Sequence, residues 1–445
     1  NLLFECHSEW NEVESKNLKE FVCMRKYARY KDSGISWIGD VPEHWVSCSL
    51  RKYLSFVSDK GHPDEQLLSV TREQGVIIRN KESKEENHNF IPEDLSGYKL
   101  VKKGQFAINK MKSWQGSYAV SEYTGIVSPA YYICDLRFEY KPFFNWAIRS
   151  KAYIPFFTMF SKGIRVDQWD LSPIGLKSIP FFEPPLSEQK AIAEYLDKKT
   201  AQINELVSAK RKQIELLKEY KQSVIANAVT GKLNKNCRMK DSGVSWIGKI
   251  PENWEKLPFC ALFEQKSQCG YCDEELLSVY LDKGVIRFSD GGEKRANATS
   301  EDLSKYQLVD VGDFVLNNQQ AWRGSVGVSF FRGIVSPAYV ILKMSEKLDR
   351  NFANYLLRDR SMVAMYCVCS KGVGSIQRNL VWNKLKRMPV FIPPLSEQKE
   401  IVAYIEKKVS SIDSQIASIE NQIANLNEYK QSLISDVVTG KVKVC

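Results

Sequence analysis

The chain has 445 residues, 43% of them hydrophobic, with a formal net charge of +10 and an isoelectric point near 8.9. That length allows about three domains with sizeable cores, while no run approaches the ~18 apolar residues needed to span a bilayer and the first residues lack the basic-then-apolar form of a secretion signal. Eleven cysteines, an odd number at irregular spacings, fit a reducing cytosol better than a disulfide framework, and the basic balance points to a polyanionic partner without requiring one.

Residues 1–30 read as an extension and lead-in of mixed character. The first 23 have no counterpart elsewhere in the chain, and Met24 is a candidate natural start. From Lys31 the chain is written twice. Lys31-Asp32-Ser33-Gly34, Trp37-Ile38-Gly39 and Pro42-Glu43-His44-Trp45 return 209 residues later as Lys240-Asp241-Ser242-Gly243, Trp246-Ile247-Gly248 and Pro251-Glu252-Asn253-Trp254. Further pairs follow in the same order, among them Ser128-Pro129-Ala130-Tyr131 with Ser336-Pro337-Ala338-Tyr339, and Ser161-Lys162-Gly163 with Ser370-Lys371-Gly372. A period of that size is a tandem duplication, since solenoid repeats run ~20–50 residues. Residues 31–183 and 234–392 are therefore expected to be two globular domains of mixed α/β character. Gly75–Ile78 and 125–133 alternate like strands, and 143–160 and 352–367 like single amphipathic helices.

Each globular part is followed by a long helical region, 184–233 and 393–445. Both open on Pro-Pro-Leu-Ser-Glu-Gln-Lys, at Pro184 and Pro393. The proline pair cannot lie inside a helix, Ser187 and Ser396 are expected N-caps, and Glu188 and Glu397 suit the positive end of the dipole. Neither helix meets Pro or Gly before Gly231 or Gly440, the expected C-terminal caps. Ile405, Ile412, Ile419, Leu426 and Leu433 recur every seven residues; Leu196, Ile203, Leu217 and Val224 hold the same places in the first helix, with Lys210 interrupting. Two rods of matching stripe should pack on each other.

Carried by these openings, helix starts and Thr-Gly-Lys helix ends at Thr230 and Thr439, the chain resembles the specificity subunits of Type I restriction-modification enzymes from Lys31 onward. The resemblance implies an α+β fold: two target-recognition domains joined by two long helices in an antiparallel coiled coil with pseudo-two-fold symmetry. It further implies a non-catalytic, cytoplasmic subunit, with no membrane partner, that reads double-stranded DNA and holds two methyltransferase subunits and, with them, restriction subunits. S-adenosylmethionine, ATP and magnesium would belong to those partners, with no cofactor in this chain. Because the two readers differ, the target should be bipartite and asymmetric; identical readers would demand a palindrome.

Comparing the copies suggests where bases are read. Asn109-Lys110-Met111-Lys112-Ser113-Trp114-Gln115-Gly116-Ser117 aligns with Asn317-Asn318-Gln319-Gln320-Ala321-Trp322-Arg323-Gly324-Ser325. Asn, Trp, Gly and Ser are kept while the polar set changes, and Lys or Arg favour guanine edges as Asn and Gln favour adenine edges. Phosphates would fall to Lys162 and Arg165 with Gln168, and to Lys371 and Arg378 with Gln377. The competing reading is a solvated loop beside a packed Trp.

Other constellations are weaker. Cys269 and Cys272 with Cys367 and Cys369 could hold zinc, but the first copy has Lys60 and Pro63 at the first two places, so the shared fold needs no metal. Gly372-x-Gly374 and Thr230-Gly231-Lys232 are too incomplete for phosphate loops. A duplicated coiled-coil assembly adaptor that never touches DNA is the alternative from another class. An enzyme without a recognisable motif is a third; no His, Cys or carboxylate cluster shared by both halves supports it.

Overall fold

The structure, a computed structural model, describes residues 26–80, 91–163, 169–233, 237–281, 283–291, 302–372 and 378–444. The expected extension lies outside these up to residue 25. Compactness divides the chain into two units, 1–210 with 421–445, and 211–420. Each unit thus takes one globular part, half of one long helix and the opposite half of the other.

In the first unit a four-stranded antiparallel sheet runs Leu54–Val57, Tyr131–Leu136, Phe106–Asn109, Tyr118–Val120, with Ile133 opposite both Val57 and Ala107. The second repeats it as Phe263–Lys266, Tyr339–Met344, Phe314–Asn317, Val326–Val328. Phe106 and Phe314 are fully buried from the equivalent place. A further strand pair, Val46–Ser49 with Pro180–Glu183, or Glu255–Pro258 with Pro389–Ile392, leads directly into each long helix.

The expected strand at 125–133 is two strands, Gly125–Val127 and Tyr131–Leu136, because Pro129 cannot donate to a ladder. The single helices expected at 143–160 and 352–367 are also each two. Lys141–Arg149 stops at Ser150, and Ile154–Met159 starts afresh with Pro155 in its first turn. Arg350–Arg358 and Arg360–Val368 are separated by Asp359, whose carboxylate accepts from the Ser361 amide as a new N-cap.

The long helices span Leu186–Val229 and Leu395–Val438, 44 residues each and so about 66 Å at ~1.5 Å per residue. They begin one residue before the expected caps. The Gln189 and Gln398 amides donate to the Pro185 and Pro394 carbonyls, which puts Ser187 and Ser396 inside the first turn. The glutamates lie in the first turn as expected and have a second task there. Glu188 accepts from the Trp45 indole at 3.0 Å and the Tyr27 hydroxyl at 3.1 Å, and lies 2.7 Å from His44 Nε2. Glu397 accepts from Trp254 and Asn253, each at 2.9 Å. Buried Gln189 and Gln398 return their side-chain amides to the Pro184 and Pro393 carbonyls.

The far helix ends complete the clasp. Gly231 and Gly440 have φ of +75° and +74°, as a left-handed cap requires. A Cβ on Gly440 would run into the Pro42 ring and approach Trp45; one on Gly231 would run into Pro251 and approach Trp254. Lys31 and Lys240 donate to the carbonyls of the same turns, Glu43 with Trp45 and Glu252 with Trp254. The duplicated motifs are therefore the joint between globular part and helices.

Within each unit the helix segments run antiparallel. In the first, Lys210 donates to Gln422 at 2.7 Å and Lys430 to Asn204 at 2.9 Å; in the second, Lys221 pairs with Asp413. Leu196, Ile203, Val224, Ile405, Ile412, Ile419 and Leu433 are buried as the seven-residue repeat requires, whereas Leu217 and Leu426 are half-buried. Lys210, which interrupts the stripe, is buried and hydrogen-bonded.

Candidate nucleic-acid interface

Strand Phe106–Asn109 ends in a turn built by its last residue: Asn109 Oδ1 accepts from the amides of Met111 and Lys112, at 3.1 and 3.2 Å. A short 3-10 turn, Ser113–Gln115, follows and closes on Gly116 at φ +94°, from which Tyr118–Val120 returns to the sheet. The second copy repeats the turn: Asn317 Oδ1 accepts from the Gln319 amide, Ala321–Arg323 forms the turn, and Gly324 closes it at φ +100°. Asn and Gly are kept because the turn needs a local acceptor and a positive φ.

Beside each turn stands a two-residue hairpin. Ser161 and Lys162 pair with Leu171 and Asp170; Ser370 and Lys371 pair with Leu380 and Asn379. The Leu171 amide donates to the Lys110 carbonyl, and the Leu380 amide lies 3.1 Å from Asn318 Oδ1 and 3.2 Å from its carbonyl. Segments about 60 residues apart are thus brought together in each unit, and the expected base-reading and phosphate-holding groups become neighbours.

Lys112, Gln319, Arg323, Lys162 and Lys371 are exposed; Gln115, Gln320 and Arg378 are half-exposed. Lys110 lies 3.7 Å from Asp170 and sits over the Tyr132 ring. Ser117 and Ser325 are buried, the latter donating to the Val279 carbonyl, and Asn318 is committed to the hairpin. Those three serve the local fold. Arg165, Gln168 and Gln377 lie outside the described residues.

The kept tryptophans carry different partners. Trp114 is packed against Trp169, ring centres 5.1 Å apart. Trp322 instead holds two guanidinium groups, Arg323 at 4.8 Å and Arg378 at 4.9 Å, while Arg378 also reaches Cys367 Sγ at 3.5 Å. Cation–π contact orients an arginine without neutralising it, so both remain available to an acceptor. Trp169 and Asp170 escaped the sequence reading. The signal was available, since Trp169 aligns with Arg378 at the 209-residue offset.

Among the described residues no group of three or more His, Cys, Asp or Glu could hold a metal ion, and Cys269 and Cys272 are exposed free thiols. No described helix is long and apolar enough to cross a membrane.

A duplicated α+β protein, with a variable polar turn on an invariant scaffold and a paired helical stem, is the class these features define. Residues 251–428 match the family model described as "Type I restriction modification DNA specificity domain". The chain is 23% identical over 443 residues to the type I restriction enzyme EcoKI specificity subunit of Escherichia coli K12, covering 91% of this chain and 90% of that one. It is 26% identical over 276 residues to the MjaVIII specificity subunit of Methanocaldococcus jannaschii, covering 59% and 61%. A solved chain described under "complex assembly and conformational transition of the type I R-M system" has the same fold, with a TM-score of 0.60 at 13% identity over 89% of this chain and 98% of that one. The chain is thus similar to the type I specificity subunits, as its duplicated motifs imply.

Proposed function

We propose that this chain is the DNA-recognition and scaffold subunit of a Type I restriction-modification complex. It reads a bipartite, asymmetric target and carries out no chemistry itself. The observation that carries this reading is the pair of turns: one backbone scaffold, built twice with the same Asn and Gly, presents Lys110, Lys112, Gln115 and Trp169 in one unit and Gln319, Gln320, Arg323 and Arg378 in the other. Fold needs explain what is kept and leave the changes for target choice. Lysine and arginine at these turns suit guanine edges, and Lys162 and Lys371 on the adjoining hairpins suit phosphates.

Two methyltransferase subunits would dock on the long helices, with restriction subunits joining them. S-adenosylmethionine, ATP and magnesium belong to those partners, and adenine N6 methylation would require the partner to extrude the base. Mapping methylated adenines in cells with and without this chain tests the reading. Two fixed words separated by a fixed gap should disappear when the chain is removed. An unchanged methylation pattern, together with no salt-dependent DNA binding, would favour the assembly adaptor instead.

A further inference from the structure

A shallow cavity of about 240 Å³ opens on the first unit's sheet, lined by Phe56, Val57, Ser58, Lys99, Tyr132, Ile133 and Pro173. Phe56 and Tyr132 meet edge to face with ring centres 5.3 Å apart. Lys177 Nζ lies 5.0 Å from the centre of the Phe56 ring, and Lys110 Nζ lies 5.9 Å from that of Tyr132. Lys99 donates to the Tyr131 carbonyl at 2.7 Å, and burial, then the charges of Lys110 and Lys60, pull its pKa down. No carboxylate contributes to that shift; Asp170, beside Lys110, is the acid of this stripe.

The second unit lacks this arrangement on the same scaffold. Strand register puts Gln265 at the place of Phe56, Val340 at that of Tyr132, Gln307 at that of Lys99 and Asn318 at that of Lys110, with only Lys386 retained. Lys266, on the strand equivalent to Phe56's, is instead bonded to Asp310 and Asp313, at 2.5 and 2.7 Å. Two rings and two lysines change together between copies of one fold. A requirement of the fold would have kept them.

We propose that Lys110 and Lys177, held over Tyr132 and Phe56, together with Lys99 on the Tyr131 carbonyl beside them, form a phosphate-gripping stripe that binds the DNA backbone flanking the half-site of the first unit. The Phe56 ring orients Lys177 while leaving its charge unneutralised, which is what a polyanion needs, and a phosphate would compete with Asp170, 3.7 Å away, for Lys110. The stripe adjoins the reading turn through Lys110, so strand and turn would meet one duplex. This inference rests on the DNA-reading function proposed above.

The test is salt-dependent binding of the full chain to a duplex carrying its mapped target, followed by fluorescence anisotropy. Each lost phosphate contact should flatten the log–log slope by about 0.9. Lys177→Ala should show about that change, Lys99→Ala with Lys177→Ala about twice as much, and Lys177→Arg none, with the methylated words unchanged throughout. Steep wild-type binding with an unaltered slope in Lys177→Ala would overturn the stripe and leave the reading function standing. Altered target words would overturn it too, by making these residues base readers. Salt-independent or absent wild-type binding would overturn both.

Discussion

Arg323 and Lys112 are cations at different places on one scaffold, each facing a glutamine in the other copy, and each can be exchanged for what that copy carries. Arg323→Gln, which installs the residue found at Gln115, should relax choice at one position of one half-site by about 1–3 kcal/mol, leaving the other word intact. Lys112→Gln should do the same to the opposite word; methylation mapping of both variants checks this, and unchanged words in both would reject the assignment. A second cluster sets a pH limit in one unit alone. The hydrogen bond from Lys266 holds Asp310 below the usual carboxylate range, and bonds to Asp310 and Asp313 leave Lys266 raised although burial pulls it down. Asp310's contribution is full above its unfolded value of 3.8 and is lost as pH falls through the lower folded value; that of Lys266 is full below 10.5 and is lost as pH rises through its raised one. Lys266→Met should therefore cost roughly 2 kcal/mol at neutral pH by removing the partner of Asp310 and leaving buried Asp313 without it, and the part that Asp310 contributes should fade as pH falls below 3.8. Urea midpoints across pH would show it.

At the scale of elements, the joint between helix and globular part was visible as repetition and opaque as geometry. The Pro-Pro-Leu-Ser-Glu-Gln string announces a helix start, but Glu188 and Glu397 are aimed at Trp45 and Trp254, 143 residues away in each case, and no local rule predicts a partner at that distance. Glu188→Ala should cost about 2–3 kcal/mol, because it leaves the buried indole donor unpaired. The heptad stripe was legible because its period is local, and so was the break at Lys210. Its partner Gln422 could not be read, since it comes from the other helix. Replacing both, Lys210→Leu with Gln422→Leu, should raise stability by about 1 kcal/mol, whereas Lys210→Leu alone should gain less; thermal melts separate the two. The paired turns were found by aligning the copies, yet the hairpin beside each required the fold. Trp169 is legible only through its alignment with Arg378, since a lone tryptophan carries no pattern of its own.

For the whole molecule, the division into compact units does not follow the order of the chain. The last segment, 421–445, belongs with residues 1–210, and the end of the first long helix belongs with the second globular part. Exchanging 31–183 for the equivalent part of a relative should therefore change one methylated word and spare the other, provided the Trp45 joint is kept. Gly440 makes that joint sensitive from afar: a left-handed glycine pressed on Pro42 tolerates no larger residue, and Gly440→Ala should cost about 2–4 kcal/mol through strain and collision. Trp45 is gripped from one side by the first turn of one rod and from the other by the last turn of its fellow. A change confined to the last turn of the second rod would consequently loosen the front globular part and spare the rear one, and under the proposed reading function it would erase one half of an address while the other stayed legible.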